Sequence, residues 1–187
     1  MQNKKVTSIK ITGGSLKGKI LHSALLSHTR PTKAIVRESI FNTLREFIID
    51  KVFLEVFAGY GSVGFEALSR GAKKVIFIEK NKSSFEILLK NVKLFSGFNI
   101  NVYNKDSMLF LKEVATDSDI LYFDPPFGNN GEYYIEIFKI LKTINISNKI
   151  IIFEHISSFN MPQALGIQNI TLIKQKRFGR TSISYYF

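Results

Sequence analysis

From Lys51 onward, short apolar runs alternate with stretches in which apolar residues recur every three or four positions. The runs are residues 52–57, 75–78, 100–103, 120–123 and 150–153, and all but the third are nearly continuous in apolar residues, as strands covered on both faces are. Helical spacing fills the gaps, over residues 63–69, 83–95, 107–114 and 133–141. Strands alternating with helices predict βαβ units around a parallel sheet. The rhythm then changes. Ile170, Leu172 and Ile173, a Phe178-Gly179 turn, and Ile183, Tyr185 and Tyr186 predict an antiparallel hairpin at the C-terminal end. Ahead of the sheet, Val6, Ile9 and Ile11, then Gly13-Gly14, then Leu16, Ile20 and Leu21 predict two short strands around a glycine turn. Val36, Ile40, Phe41, Leu44, Phe47 and Ile48 lie at helical spacing, with Thr32 as the expected N-cap and Arg37, Glu38, Arg45 and Glu46 off the stripe. The chain therefore divides into an extension, residues 1–50, and an α/β domain, residues 51–187.

Composition narrows the function. None of the 187 residues is cysteine, which removes disulfides, thiolate zinc sites and a cysteine nucleophile. The N-terminal residues lack a signal-peptide apolar stretch, and no apolar run approaches the roughly 18 residues needed to cross a bilayer. A soluble cytoplasmic protein is expected. The net charge of +11 is unevenly placed. Residues 1–51 hold 10 basic and 3 acidic residues, residues 52–173 hold 12 of each, and residues 174–187 add Lys174, Lys176, Arg177 and Arg180 with no acid. Basic ends around a neutral middle point to a polyanionic partner, because phosphates neutralised on binding release counterions. His22, His28 and His155 are scattered without metal-ligand spacing, so no metal is expected.

Two motifs carry chemistry. Gly59, Gly61 and Gly64 satisfy G-x-G-x-x-G directly after the first apolar run and before a helical stretch, a context that marks a nucleoside-bearing ligand. Glu79 closes the next run, 20 residues after Gly59, where an acid accepts hydrogen bonds from ribose hydroxyls. A dinucleotide would bring a pyrophosphate to this turn, and Glu55 would repel it if it faces the site; the alternative is a strand residue facing away. S-adenosylmethionine carries an ammonium and a sulfonium in place of phosphate and suits that acid. Asp106 follows the third run and either accepts from the adenine amine of such a cofactor or caps the helix that starts at Ser107. The second motif is Asp124-Pro125-Pro126-Phe127, straight after the fourth run. Two prolines end a strand and remove two donors while keeping both carbonyls. The resulting stiff loop presents acceptors at the carboxyl edge of the sheet, where ligands of such folds bind. Asp124 and the Pro125 carbonyl can accept the two N–H bonds of a nucleobase amine and aim its lone pair at a methyl donor. Phe127 can stack on the base, a contact worth about 1–3 kcal/mol.

With these residues in view, the chain resembles the bacterial small-subunit (16S) ribosomal RNA guanine-N2 methyltransferase family. The likeness runs through Gly13-Gly14 and Lys17-Gly18-Lys19, Arg30-Pro31-Thr32 with Val36-Arg37-Glu38, and Phe41-Asn42 with Leu44. It continues through Phe57-Ala58-Gly59-Tyr60-Gly61, Glu66 to Gly71 and Asp124 to Phe127. The resemblance implies a Rossmann-like class I S-adenosylmethionine-dependent methyltransferase sheet with a reversed last strand. It implies direct methyl transfer to the N2 amine of a guanine in 16S rRNA, free or in a small-subunit assembly intermediate, by a monomer. The cofactor would lie against Glu55, Phe57, Gly59, Gly61, Glu79 and Asp106. Asp124, Pro125 and Phe127 would meet the base, and Lys17, Lys19, Arg30, Arg37, Arg177 and Arg180 the RNA. Glu55 stands where Asp is more usual, and Tyr60 where a small Thr or Ser is. The rival functions are an adenine-N6 or protein-glutamine methyltransferase, a nucleotide-linked dehydrogenase, and a non-catalytic RNA-binding protein on the same fold.

Overall fold

The computed structural model describes residues 8–24, 32–126, 131–167 and 170–187. The strands are β1 (Ile9–Lys10), β2 (Ile20–Leu21), β3 (Val52–Val56), β4 (Lys74–Ile78), β5 (Ile100–Tyr103), β6 (Ile120–Phe123), β7 (Ile150–Ile156), β8 (Leu172–Phe178) and β9 (Thr181–Tyr186). The helices are α1 (Ala34–Leu44), α2 (Ser62–Ser69), α3 (Lys82–Lys93), α4 (Ser107–Ala115) and α5 (Glu132–Leu141). Seven strands form one sheet in the order β5-β4-β3-β6-β7-β9-β8. β3 to β7 pair in parallel, and β9 runs antiparallel to both β7 and β8. The parallel sheet and the reversed C-terminal hairpin are as the hydrophobic pattern predicts. β5, the least apolar run, is the half-exposed edge.

Period-two alternation sorts each strand between two cores. Phe53, Val75, Phe77, Ile120, Tyr122, Ile152, Ile183 and Tyr185 face α1, α2 and the end of α3. Leu54, Val56, Ile76, Ile78, Leu121, Phe123, Ile151, Phe153 and Tyr186 face α4 and α5. The N-terminal hairpin joins the first core through Ile9, Ile11 and Leu21. Its strands, β1 and β2, are antiparallel and two residues each; Val6 lies outside the described residues. The Glu66 carboxylate on α2, fully buried, holds this hairpin down. It accepts from the Thr12 N–H (2.7 Å), the Thr12 hydroxyl (2.7 Å) and the Gly13 N–H (2.8 Å). Two expectations about α1 change. Its N-cap is Lys33, without a side-chain hydrogen bond, in place of Thr32. At Arg45 the backbone takes φ 48° and tightens into a 3-10 turn, Arg45–Ile48. That shift in phase buries Ile48 and leaves Phe47 69% exposed.

Candidate active site

The turn after β3 contains three left-handed residues, Phe57 (φ 64°), Gly59 (φ 55°) and Gly61 (φ 81°). Gly61 sits at the N-cap of α2, where a Cβ would meet Leu88 and Phe65 at 2.6 Å. Gly64 serves packing: a Cβ there would run into the Phe77 ring and Val75 on β4. Glu55 points into this turn. Its Oε2 accepts from the Gly64 N–H at 2.7 Å and its Oε1 from the Val63 N–H at 3.3 Å, satisfying donors that the first turn of a helix leaves open. Burial pushes the Glu55 carboxyl up to about 8, against the pull of those two N–H groups and of Arg37. Glu79, at the end of β4, ties two strand ends together by accepting from Gly59 N–H (2.7 Å) and Asn81 N–H (2.6 Å). Asp106 follows β5. One oxygen caps α4 by accepting from Met108 N–H at 2.9 Å, and the other accepts from Lys80 Nζ at 2.6 Å, which holds the carboxyl below its ordinary range. Tyr60 is buried in the first core and also lines the cavity at this turn, its hydroxyl donating to the Ala24 carbonyl at 2.8 Å. Asn91 of α3 fastens the back of the same turn, donating to the Tyr60 and His22 carbonyls.

These groups open into a cavity of about 720 Å3 that also receives Asp124, Pro125, Pro126 and Glu154. That volume lies within the span of small-ligand sites. The alternation that places Tyr122 on the α1 face also places Glu55, Asp124 and Glu154 there. The β6–β7 register, Phe123 opposite Phe153, brings Asp124 beside Glu154 at the carboxyl edge. The Tyr122 hydroxyl donates to Glu154 Oε2 at 2.5 Å and lies 3.4 Å from the Thr32 hydroxyl. Thr32 also lines the cavity beside Asp124. Burial, then Glu154 and Glu55, push the Asp124 carboxyl well above its ordinary value, and Thr32 draws it down. Phe57 meets the Tyr133 ring edge-on at 6.0 Å over the cavity wall.

Of the residues the sequence singles out, Glu55, Phe57, Gly59, Glu79, Asp106, Asp124 and Pro125 line this one cavity. Gly61 shapes the turn behind it, and Phe127 lies outside the described residues. The basic candidates divide. Arg37, expected at the RNA surface, is 2% exposed. Its guanidinium donates to the Thr32 carbonyl (2.5 Å) and the Lys10 carbonyl (2.6 Å) and stands 3.8 Å from Glu66. It is a buried brace, placed on the inner face because position 37 adjoins Val36 on the apolar stripe. Lys19 lies over the Phe95 ring at 5.1 Å, and exposed Lys17 lines a separate shallow groove. Arg177 and Arg180 are exposed on the β8–β9 turn, next to Thr181 of the cavity lining. Arg30 lies outside the described residues. Sequence reasoning missed Glu154, Thr32 and Tyr122. Glu154 carried a usable signal, since an acid directly after an apolar run is what singled out Glu79 and Asp124.

A parallel sheet with one reversed strand and a nucleoside-type turn opening beside an Asp-Pro-Pro loop define a class: the Rossmann-like class I methyltransferase fold. The family model described as "Conserved hypothetical protein 95" matches residues 9–187. The chain belongs to that family, and the resemblance read from its motifs is borne out. Among relatives it is similar to "Ribosomal RNA small subunit methyltransferase D" of Escherichia coli, 39% identical over 119 residues, 64% of this chain and 60% of that protein. The aligned segment thus spans less than two thirds of that relative's length. Among solved structures, "Putative methyltransferase yhhF from Escherichia coli" superposes with a TM-score of 0.78 at 31% identity, covering 96% of this chain and 97% of that one. SMU.776, described as complexed with SAH, shares the fold at 16% identity and TM-score 0.67, over 89% of this chain and 52% of that one.

Proposed function

We propose that this protein transfers a methyl group from S-adenosylmethionine to the exocyclic N2 amine of a guanine in 16S rRNA. The observation that carries this reading is the single cavity joining two sets of groups. Glu55, Glu79 and Asp106 stand at the ends of three neighbouring parallel strands, and Asp124-Pro125 faces them. Acidic side chains around a glycine turn disfavour a pyrophosphate and suit a nucleoside with cationic groups, beside which Glu55 would ionise, so the residues fit S-adenosylmethionine better than a dinucleotide. The names of the relatives support an rRNA substrate.

When bound, S-adenosylmethionine supplies a methyl group on a sulfonium that departs as a neutral thioether. The chain's own residues position and neutralise. Glu79 offers acceptors to the ribose hydroxyls, and Glu55 places negative charge near the sulfonium. Asp124 and the Pro125 carbonyl accept the two amine N–H bonds, which directs the nitrogen lone pair toward the methyl carbon. The Asp124 carboxyl, ionised beside a bound cationic cofactor, would take the one proton that the amine gives up on methylation, and its raised pKa suits it to hold that proton. Positioning supplies most of the acceleration. Asp124→Ala is expected to lower single-turnover methylation at least about 100-fold while cofactor affinity, read by calorimetry, changes less than about threefold. Unchanged transfer in that variant would remove Asp124 from the mechanism. Calorimetry with S-adenosylmethionine against NAD tests the cofactor. Mapping the methyl group on RNA and subunits from a strain lacking the protein tests the substrate.

A further inference from the structure

The mechanism above leaves Glu154 without a task, although it sits in the cavity wall beside Asp124 and is 6% exposed. An acid this deep costs stability unless its surroundings or a ligand supply donors. The Tyr122 hydroxyl is among its donors, at 2.5 Å from Oε2. The wall presents carboxyl groups from two adjacent strands, Asp124 directly after β6 and Glu154 on β7, brought side by side by the parallel register. Ionised, a carboxylate only accepts hydrogen bonds, and adjacent donors on a ligand favour that ionised form, so the pair matches a ligand edge that carries two neighbouring donors.

Nucleobase edges differ on this point. The amine of adenine adjoins a ring nitrogen that accepts, and so does the amine of cytosine. The N2 amine of guanine adjoins N1–H, a donor. Two neighbouring acceptors thus suit guanine and leave a repulsive pair of acceptors against adenine or cytosine. We propose that Glu154 selects guanine by accepting its N1–H while Asp124 accepts the neighbouring amine. This rests on the methyltransferase reading of the cavity and adds to it the residue that sets base choice. Tyr122 positions Glu154, and the β6–β7 register sets the spacing of the pair.

The test compares guanine with 2-aminopurine, which keeps the 2-amine but replaces N1–H by an accepting nitrogen. Small-subunit RNA is assembled with either base at the mapped position and offered both free and within reconstituted subunits. Wild-type protein is expected to favour guanine by about 10–100-fold in kcat/KM. Glu154→Gln offers an amide that donates to the accepting nitrogen, so the preference is expected to fall below about threefold with cofactor binding retained in calorimetry. If wild-type protein methylates both bases equally, or if Glu154→Gln slows both alike, Glu154 is a structural residue and the inference fails while methyl transfer stands. Transfer to neither base in either substrate form overturns the methyltransferase reading itself, and this inference with it.

Discussion

Glu55 is 3% exposed and holds both oxygens against backbone N–H groups, yet its carboxyl is pushed up to about 8. Between its ordinary value of 4.5 and about 8, the folded chain keeps a proton that the unfolded chain has lost. This contribution to the stability of the unliganded protein is thus fully present below pH 4.5 and is lost as pH rises through about 8. A sulfonium beside the carboxylate favours its ionised form. Cofactor affinity is expected to strengthen as pH rises through about 8, and Glu55→Gln should flatten that rise. Calorimetry across pH on both proteins separates Glu55 from the cofactor's own amino group, and equal slopes would show that Glu55 does not sense the ligand. At this scale the sequence was most legible where chemistry and chain position coincide. Glu79 and Asp124 each end an apolar run and so announce the carboxyl edge, while Glu55 shows as the one acid inside such a run. Thr32 and Arg37 were read as a cap and a surface charge because their partners, Tyr122 and the Thr32 carbonyl, are set by tertiary packing of α1.

Among the elements, α2 carries the most. It is buried along its whole length, begins at the glycine turn and ends on the N-terminal hairpin. Glu66→Ala would strand two backbone donors, Thr12 N–H and Gly13 N–H, under the hairpin. A loss of about 3 kcal/mol in urea unfolding is expected, with the hydrogen exchange of those amides accelerated most. Equal acceleration across the sheet would argue against a local latch. Helix and strand positions followed the hydrophobic period closely, because strands buried on both faces leave little ambiguity. The failures fell where backbone geometry overrode the pattern. Arg45 takes a left-handed turn that no apolar spacing encodes, and Phe47 rotates out of the core as a result. The hairpin order β9-before-β8 across the sheet was likewise invisible, since two antiparallel strands satisfy their pattern in either placement.

Over the whole molecule, the basic ends of the chain reach different places. Arg177 and Arg180 flank the cavity wall at Thr181, and Lys33 of the α1 N-cap lines the cavity itself. Lys19 is engaged with Phe95, and Arg37 is internal. Replacing Arg177 and Arg180 by Ala is expected to flatten the dependence of log affinity for target RNA on log salt by about 0.7 per lost contact. Replacing Lys17 and Lys19 should change it less. A salt titration of binding reads both, and the reverse ranking would move the RNA footprint to the hairpin side. The reversed strand has a further bearing, on how the protein is made. β9 pairs with β7 along residues 151–156 and closes the sheet over an edge that reads Ile-Ile-Ile-Phe. During synthesis, until β9 has emerged and paired, β7 stands bare, the kind of edge that captures other chains. The nascent sheet therefore depends on β9 to cover this edge, and a product truncated before Thr181 is expected to aggregate or to be degraded.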